Sequence, residues 1–261
     1  MKGCSALRTR SKSTAERVAP FALIALLLLL WQLVCALGVL PAFLLPSPLS
    51  VGRAFVREFP ELMQNAGTTL SEAFVGLLLG IAAAFVFGVV MDRSAFLRRA
   101  VYPVLLLTQT VPPVAVAPLL VLWMGYGSAP KIALVFLTCF FPVTIGLLRG
   151  FATADPDAIR LLSSMGASRL QIFRHIKLPS ALPNFFAGLR VSVTYALVGA
   201  VIAEWLGGNG GLGVYMTRVR RSYAFDRMFA VILLISVLSL LLMRLTMYLE
   251  KKVMPWATID E

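Results

Sequence analysis

Apolar residues in this chain come in blocks, and the blocks are long enough to cross a lipid bilayer. A span needs roughly 20 apolar residues, because a helix rises about 1.5 Å per residue and the hydrocarbon core is about 30 Å thick. Scanning for such runs gives 18–40, 68–91, 101–125, 132–148, 184–206 and 228–249. Of the 261 residues, 59% are apolar and only 14% charged, whereas a soluble domain carries about 25% charged residues. The expected fold class is all-α: a polytopic membrane protein with six transmembrane helices.

The formal net charge of +12 would suggest nucleic acid in a soluble protein. Here the charges lie mostly between the apolar blocks, so membrane topology explains them and no nucleic-acid partner is expected. With the amino terminus inside, the inner segments hold fifteen Lys/Arg and the outer segments seven. The positive-inside rule therefore places both termini in the cytosol. The first run follows a basic tail, as a signal peptide would. Its 23 residues exceed the 7–15 of a signal h-region, which favours an uncleaved span. One outer stretch dissents, with Arg218, Arg220, Arg221 and Arg227. It reads as a local exception or an interfacial helix with Met, Val and Tyr toward lipid, rather than a surface for an anionic substrate or acidic partner.

Cys4, Cys35 and Cys139 form no disulfide framework and are expected to be free thiols, the last two packing as small residues. Charges within the spans are few. Arg190 and Arg244 lie near inner ends and Glu72 and Glu204 near outer ends, so none marks a mid-membrane proton relay. Gly76, Gly80, Ala84 and Gly88 repeat every four residues in the second span and put a smooth face toward a neighbouring helix. The third span contains Pro112, Pro113 and Pro118 with Thr108, Gln109 and Thr110. Two readings stand for it. Broken backbone at membrane depth is tolerated where it lines a watery path, which makes Gln109 and Thr110 candidate path residues. A kinked helix packed by its neighbours fits as well.

The longest inner loop, 151–183, reads as two short helices. Asp155 with Pro156 suits a helix start. Gly166 suits a left-handed helix end, and Ser168 caps the second helix. Leu170, Phe173 and Ile176 then recur on one face, and Pro179 is expected to stop it. Such a helix either lies on the membrane or enters a partner's groove.

Gly166, Ile176, Leu178 and Pro179 are spaced as a glycine, nine residues, isoleucine, one residue and Leu-Pro. This resembles the EAA motif of permease subunits in bacterial binding-protein-dependent ABC importers. Arg160, Leu161 and Leu162 stand where that motif has glutamate and two alanines, as is common in the nitrate, sulfonate, taurine and thiamine-precursor branch. The runs 112–125 and 203–213 resemble the same branch.

The resemblance implies a type I ABC importer permease fold over 65–256. A basic cytosolic tail (1–17), a first span with outer loop (18–64) and a cytosolic tail (257–261) complete the organisation. It implies that the loop docks on a cytosolic ABC ATPase through Gly166, Ala167, Ser168, Phe173, Ile176, Leu178 and Pro179. It further implies delivery by an extracytoplasmic solute-binding protein and a bacterial inner-membrane location. A second permease copy is expected, as a homodimer, because symmetric dimers are the commonest oligomers.

No G-x-x-x-x-G-K-[ST] phosphate loop occurs in the sequence. ATP and Mg are therefore expected on the partner, with no cofactor, metal or catalytic residue in this chain. The lone histidine, His175, reads as a docking or surface residue. A secondary transporter working without ATP and a non-transporting scaffold are the competing classes. Candidate path residues are Gln109, Thr110, Tyr195 and Glu204. Trp123, Tyr195 and Trp205 suit either stacking on a ring or anchoring at the bilayer interface. For the substrate, 204–216 looks most like the pyrimidine-precursor members. The branch also carries nitrate, sulfonates, taurine and riboflavin.

Overall fold

A computed structural model describes residues 14–38, 41 and 43–258. Among these residues every regular element is helical. The order is α1 (Thr14–Ala36), α2 (Pro48–Arg57), α3 (Phe59–Arg93), α4 (Ala95–Thr108), α5 (Pro113–Met124), α6 (Ala129–Ala152), α7 (Pro156–Ser164) and α8 (Arg169–Ile172). A π-turn (Phe173–Lys177), α9 (Leu178–Leu206), α10 (Leu212–Arg221), α11 (Phe225–Val253) and a closing 3-10 turn (Pro255–Thr258) follow.

Four helical stretches are long and apolar enough to cross a membrane: α3, α6, the continuous run Arg169–Leu206 and α11. The bent pair α4–α5 makes a fifth if counted as one span. The sixth expected run, 18–40, corresponds to α1, whose searched apolar stretch is the shorter Ala22–Ala36. Residues 39 and 40 of that run, like Cys4, lie outside the described residues. The third expected span is broken as its prolines require. Its halves meet at 99°, because Pro112 and Pro113 deny the helix two backbone donors at one place.

The core is built around α6, which lies against α3 on one side and α9 on the other. The glycine stripe of α3 faces it. A Cβ added at Gly76 would lie 2.6 Å from the Val135 Cβ, and one at Gly80 would lie 3.1 Å from that of Cys139. On the α9 side, a Cβ at Gly146 would lie 2.6 Å from the Asn184 carbonyl oxygen, and one at Gly188 would meet that of Pro142 at 2.6 Å. Small residues therefore let backbones approach, which drives helix association where lipid offers no hydrophobic contrast. Val143, Leu147 and Phe151 of α6 meet Phe185, Phe186 and Leu189 of α9 and Met91 of α3 in the main cluster. Cys139 is fully buried, its thiol donating to the Ser192 carbonyl. Cys35 is half-buried and free.

A second cluster forms from α2, the start of α3, Val201 of α9, α10 and α11. It corrects the expected lipid-facing helix around Arg218. In α10, Tyr215, Met216 and Val219 are buried in this cluster rather than turned outward. Glu61 and Glu58 on the neighbouring elements pair with Arg218 (2.8 Å) and Arg227 (3.3 Å). Burial, aided by Glu58 and Glu61, pushes the Tyr215 phenol up to about 12, so it remains a neutral donor.

Candidate functional site

Elements α4, α5, α6 and α9 line an open cavity of about 770 Å³. Its wall is mainly apolar, with Thr108, Gln109, Thr138, Asn184 and Tyr195 as polar points and Arg149 as a charge. A few polar groups on an apolar wall is the usual make-up of a small-molecule site. Two of the polar points, Gln109 and Thr138, follow from a local break in a helix. Gln109 caps the end of α4 where the proline pair stops it. Pro142 inside α6 removes the donor that the Thr138 carbonyl would otherwise receive, one turn earlier. Gly146 and Gly188 bring α6 and α9 together along the wall.

The predicted path residues divide. Gln109 and Tyr195 line the cavity; Thr110 and Glu204 are not in its lining. The Thr110 hydroxyl turns back to donate to the Leu107 carbonyl at 2.7 Å. Glu204 is only 1% exposed and belongs to a buried polar cluster. One of its carboxylate oxygens accepts from the Thr69 hydroxyl (2.8 Å) and the other from the Gly213 N–H (2.6 Å). Thr69 in turn accepts from the Leu212 N–H, and Asn65 accepts from the Gly211 N–H. Glu204 thus sits on the amino end of α10, where a negative charge is favoured. Beside it Lys131 donates to Glu72 at 2.9 Å and to the Gly210 carbonyl at 3.3 Å. Lys131, counted from sequence as an outer-loop charge, is instead buried in the first turn of α6. A buried lysine must be paired, and Glu72 is its partner.

The loop over 151–183 forms an arm. Asp155 caps α7 by accepting from the Asp157 N–H, with Pro156 at the first position. Gly166 has φ +82°. Its N–H donates to the Ser163 carbonyl and that of Ala167 to the Leu162 carbonyl, the paired bonds of a Schellman end. Ser168 and Gln171 then form a reciprocal capping box. Arg160 pairs with Asp157 on the exposed face of α7.

Pro179 does not stop the second helix. The chain passes through the π-turn into α9, giving one helix from Arg169 to Leu206. In an α-helix the Pro179 ring would collide with the carbonyl four residues back. The wider π-turn, with the Leu178 N–H reaching the Phe173 carbonyl, accommodates it. Phe173 rests on Phe151 of α6, ring centroids 5.5 Å apart. Gly166, Ser168 and His175 are exposed, whereas Ala167, Phe173, Ile176, Leu178 and Pro179 are half-buried.

A family model for the binding-protein-dependent transport system inner membrane component matches residues 76–255. The chain belongs to that family. Among curated relatives of this permease, a probable ABC transporter permease protein of Haemophilus influenzae is 36% identical over 85% of this chain and 91% of its own length. The formylaminopyrimidine transport permease protein ThiX of Halalkalibacterium halodurans is 32% identical, covering 94% and 98%. The taurine transport system permease protein TauC of Escherichia coli is 30% identical, covering 89% and 87%. In fold, the permease matches a chain of the MetNI methionine ABC transporter with TM-score 0.66 at 20% identity, over 76% of this chain and 98% of that one. A chain of a bacterial importer of alginate matches with TM-score 0.64 at 17% identity, over 92% and 97%. The protein is an ABC importer permease subunit, a multi-pass helical component of the inner membrane.

Sequence reasoning missed Thr138, Asn184 and Arg149 as cavity residues and Lys131 as a buried partner. The signal for the last was available: a lone lysine opening a span, with two glutamates at outer ends of other spans.

Proposed function

We propose that two copies of this chain, each with six spans and both termini in the cytosol, enclose a path for a small solute delivered by an extracytoplasmic binding protein. A pair of cytosolic ATPases, which bind ATP and Mg, docks on the arm from Asp155 to Pro179 and drives alternating access. The carrying observation is the arm itself. It is capped at both helix starts, yet it presents Leu161, Met165 and Leu170 at 60%, 76% and 64% exposure. An ordered inner segment with its large apolar side chains uncovered fits a groove on a partner. ATP shifts the balance of states only through contacts that differ between them, and the Gly166 turn between the two arm helices is where those contacts fall.

The solute passes Gln109 and Tyr195 in the cavity. A thiamine pyrimidine precursor or related heteroaromatic fits an apolar wall with an amide and a phenol, and the ThiX relative supports it. A sulfonate or taurine is the second reading, favoured by Arg149 in the wall and by the TauC relative.

Proteoliposomes carrying the permease, its ATPase and its binding protein test this. Uptake is expected to require ATP on the ATPase side and to survive collapse of the proton gradient. Uptake without the ATPase would overturn the importer reading in favour of a secondary transporter. Ligand identification on the binding protein separates pyrimidine from sulfonate. A reporter fused after Glu261 is expected to be cytosolic; an external signal would overturn the topology.

A further inference from the structure

We propose that the Lys177–Asp92 ion pair is a positioning contact that ties the docking arm to the broken span lining the cavity. This rests on the reading of residues 155–179 as the ATPase-docking arm. Asp92 lies in the last turn of α3, two residues before Ser94, which caps α4 by accepting from the Leu97 N–H. A carboxylate there faces the carbonyl end of its own helix, where negative charge is disfavoured. Its compensation comes from across the fold. The Lys177 ammonium lies 2.7 Å from one Asp92 oxygen and 3.0 Å from the other. Asp92 is 12% exposed and Lys177 26%. The arm's internal pair, Arg160–Asp157, is 81% and 85% exposed, and pairs that open to water hold little. Among the described residues, Lys177–Asp92 is the ion pair that leaves the arm for another span.

The two ends of the π-turn are attached differently. Phe173 opens the turn and rests on Phe151 of α6, an apolar contact with no fixed direction. Lys177 closes the turn and is held at a point by both oxygens of one carboxylate. A π-turn before a proline is also where a long helix bends. A shift of the arm is therefore delivered at Lys177 to the joint between α3 and α4. From that joint α4 runs to Thr108 and Gln109 in the cavity wall. The pair thus connects the segment that meets the ATPase to the half-span that shapes the path.

The test measures uptake and ATP hydrolysis together in proteoliposomes holding the permease, its ATPase and its binding protein. Asp92→Asn and Lys177→Met are each expected to lower solute moved per ATP by at least about fivefold. For Asp92→Asn, which lies outside the docking arm, complex yield and hydrolysis rate should stay near wild type. Lys177→Arg, which keeps the charge, and the swapped double variant Asp92→Lys/Lys177→Asp should each hold or regain the ratio to within about twofold. Single variants with an unchanged ratio would overturn the proposal. So would single variants that lose uptake, hydrolysis and stability in parallel, or a swap no better than either single. A wild type without ATP-dependent uptake would instead overturn the importer reading, and the inference with it.

Discussion

Glu204 uses both carboxylate oxygens as acceptors, for the Thr69 hydroxyl and the Gly213 N–H, and is almost wholly buried. A glutamine of the same shape has one acceptor and would turn its NH2 group toward one of those donors. Glu204→Gln is expected to cost about 1–3 kcal/mol, read as a lower thermal midpoint in detergent. Tyr223 is strained in the opposite sense. It ends α10 at φ +56°, a left-handed position, in the same paired-bond turn that Gly166 makes at the end of α7. Its side chain is 71% exposed, so little packing is lost on removal. Tyr223→Gly is expected to raise stability by about 1 kcal/mol, the left-handed penalty of a residue with a Cβ. Of these two residues, Glu204 was visible in the sequence as a rare intramembrane acid. Its partners were not, since Thr69 lies 135 residues away in the chain.

At the scale of elements, the contacts of α6 with α3 and α9 hold the bundle, and their closeness depends on glycine. Gly146→Ala and Gly188→Ala each place a methyl against a neighbouring backbone carbonyl. Each is expected to cost about 1–3 kcal/mol, as overpacking does. Gly67→Ala in α3 is the control, because a Cβ there meets nothing within 4 Å. It should instead stabilise by about 0.4–1 kcal/mol through the unfolded chain. Thermal unfolding of the three variants side by side checks both directions. The spacing of Gly76, Gly80, Ala84 and Gly88 was legible as a packing face because period four on a helix is a local pattern. That its partner is α6, with Val135 and Cys139 seated on it, is a fact of packing. The π-turn was illegible for a related reason: proline marks a break, but only the packing of Phe173 and Lys177 selects a continuous helix over a stop.

For the whole molecule, exposed apolar side chains lie mostly on the spans, with a smaller set on the arm. The arm's geometry turns on Gly166, which has open space around it but a backbone only glycine adopts freely. Gly166→Val should therefore fail by conformation rather than collision, straining the turn by about 1–2 kcal/mol. Gly166→Asn, which tolerates the left-handed region, should fail less. The expected outcome is a folded permease that loses its ATPase on co-purification, or keeps it without transport, more severely for valine than for asparagine. A valine variant that binds its ATPase and transports normally would remove Gly166 from the docking turn.

By itself the sequence determined that this chain lies in a bilayer, because span length and charge asymmetry are properties of composition along the chain. It also determined the arm's caps and glycine turn, because these are short-range geometry, but not the run of its second helix through Pro179 into α9. Tertiary structure alone decided which charges meet. Lys131 finds Glu72 across 59 residues and Lys177 finds Asp92 across 85. It also set Glu204 at the amino end of α10, outside the cavity lining, and it gathered Gln109, Thr138, Asn184 and Tyr195 around one cavity. The reason is physical. A cap is satisfied by its neighbours in sequence, whereas a buried charge is satisfied by whatever the packed helices place beside it.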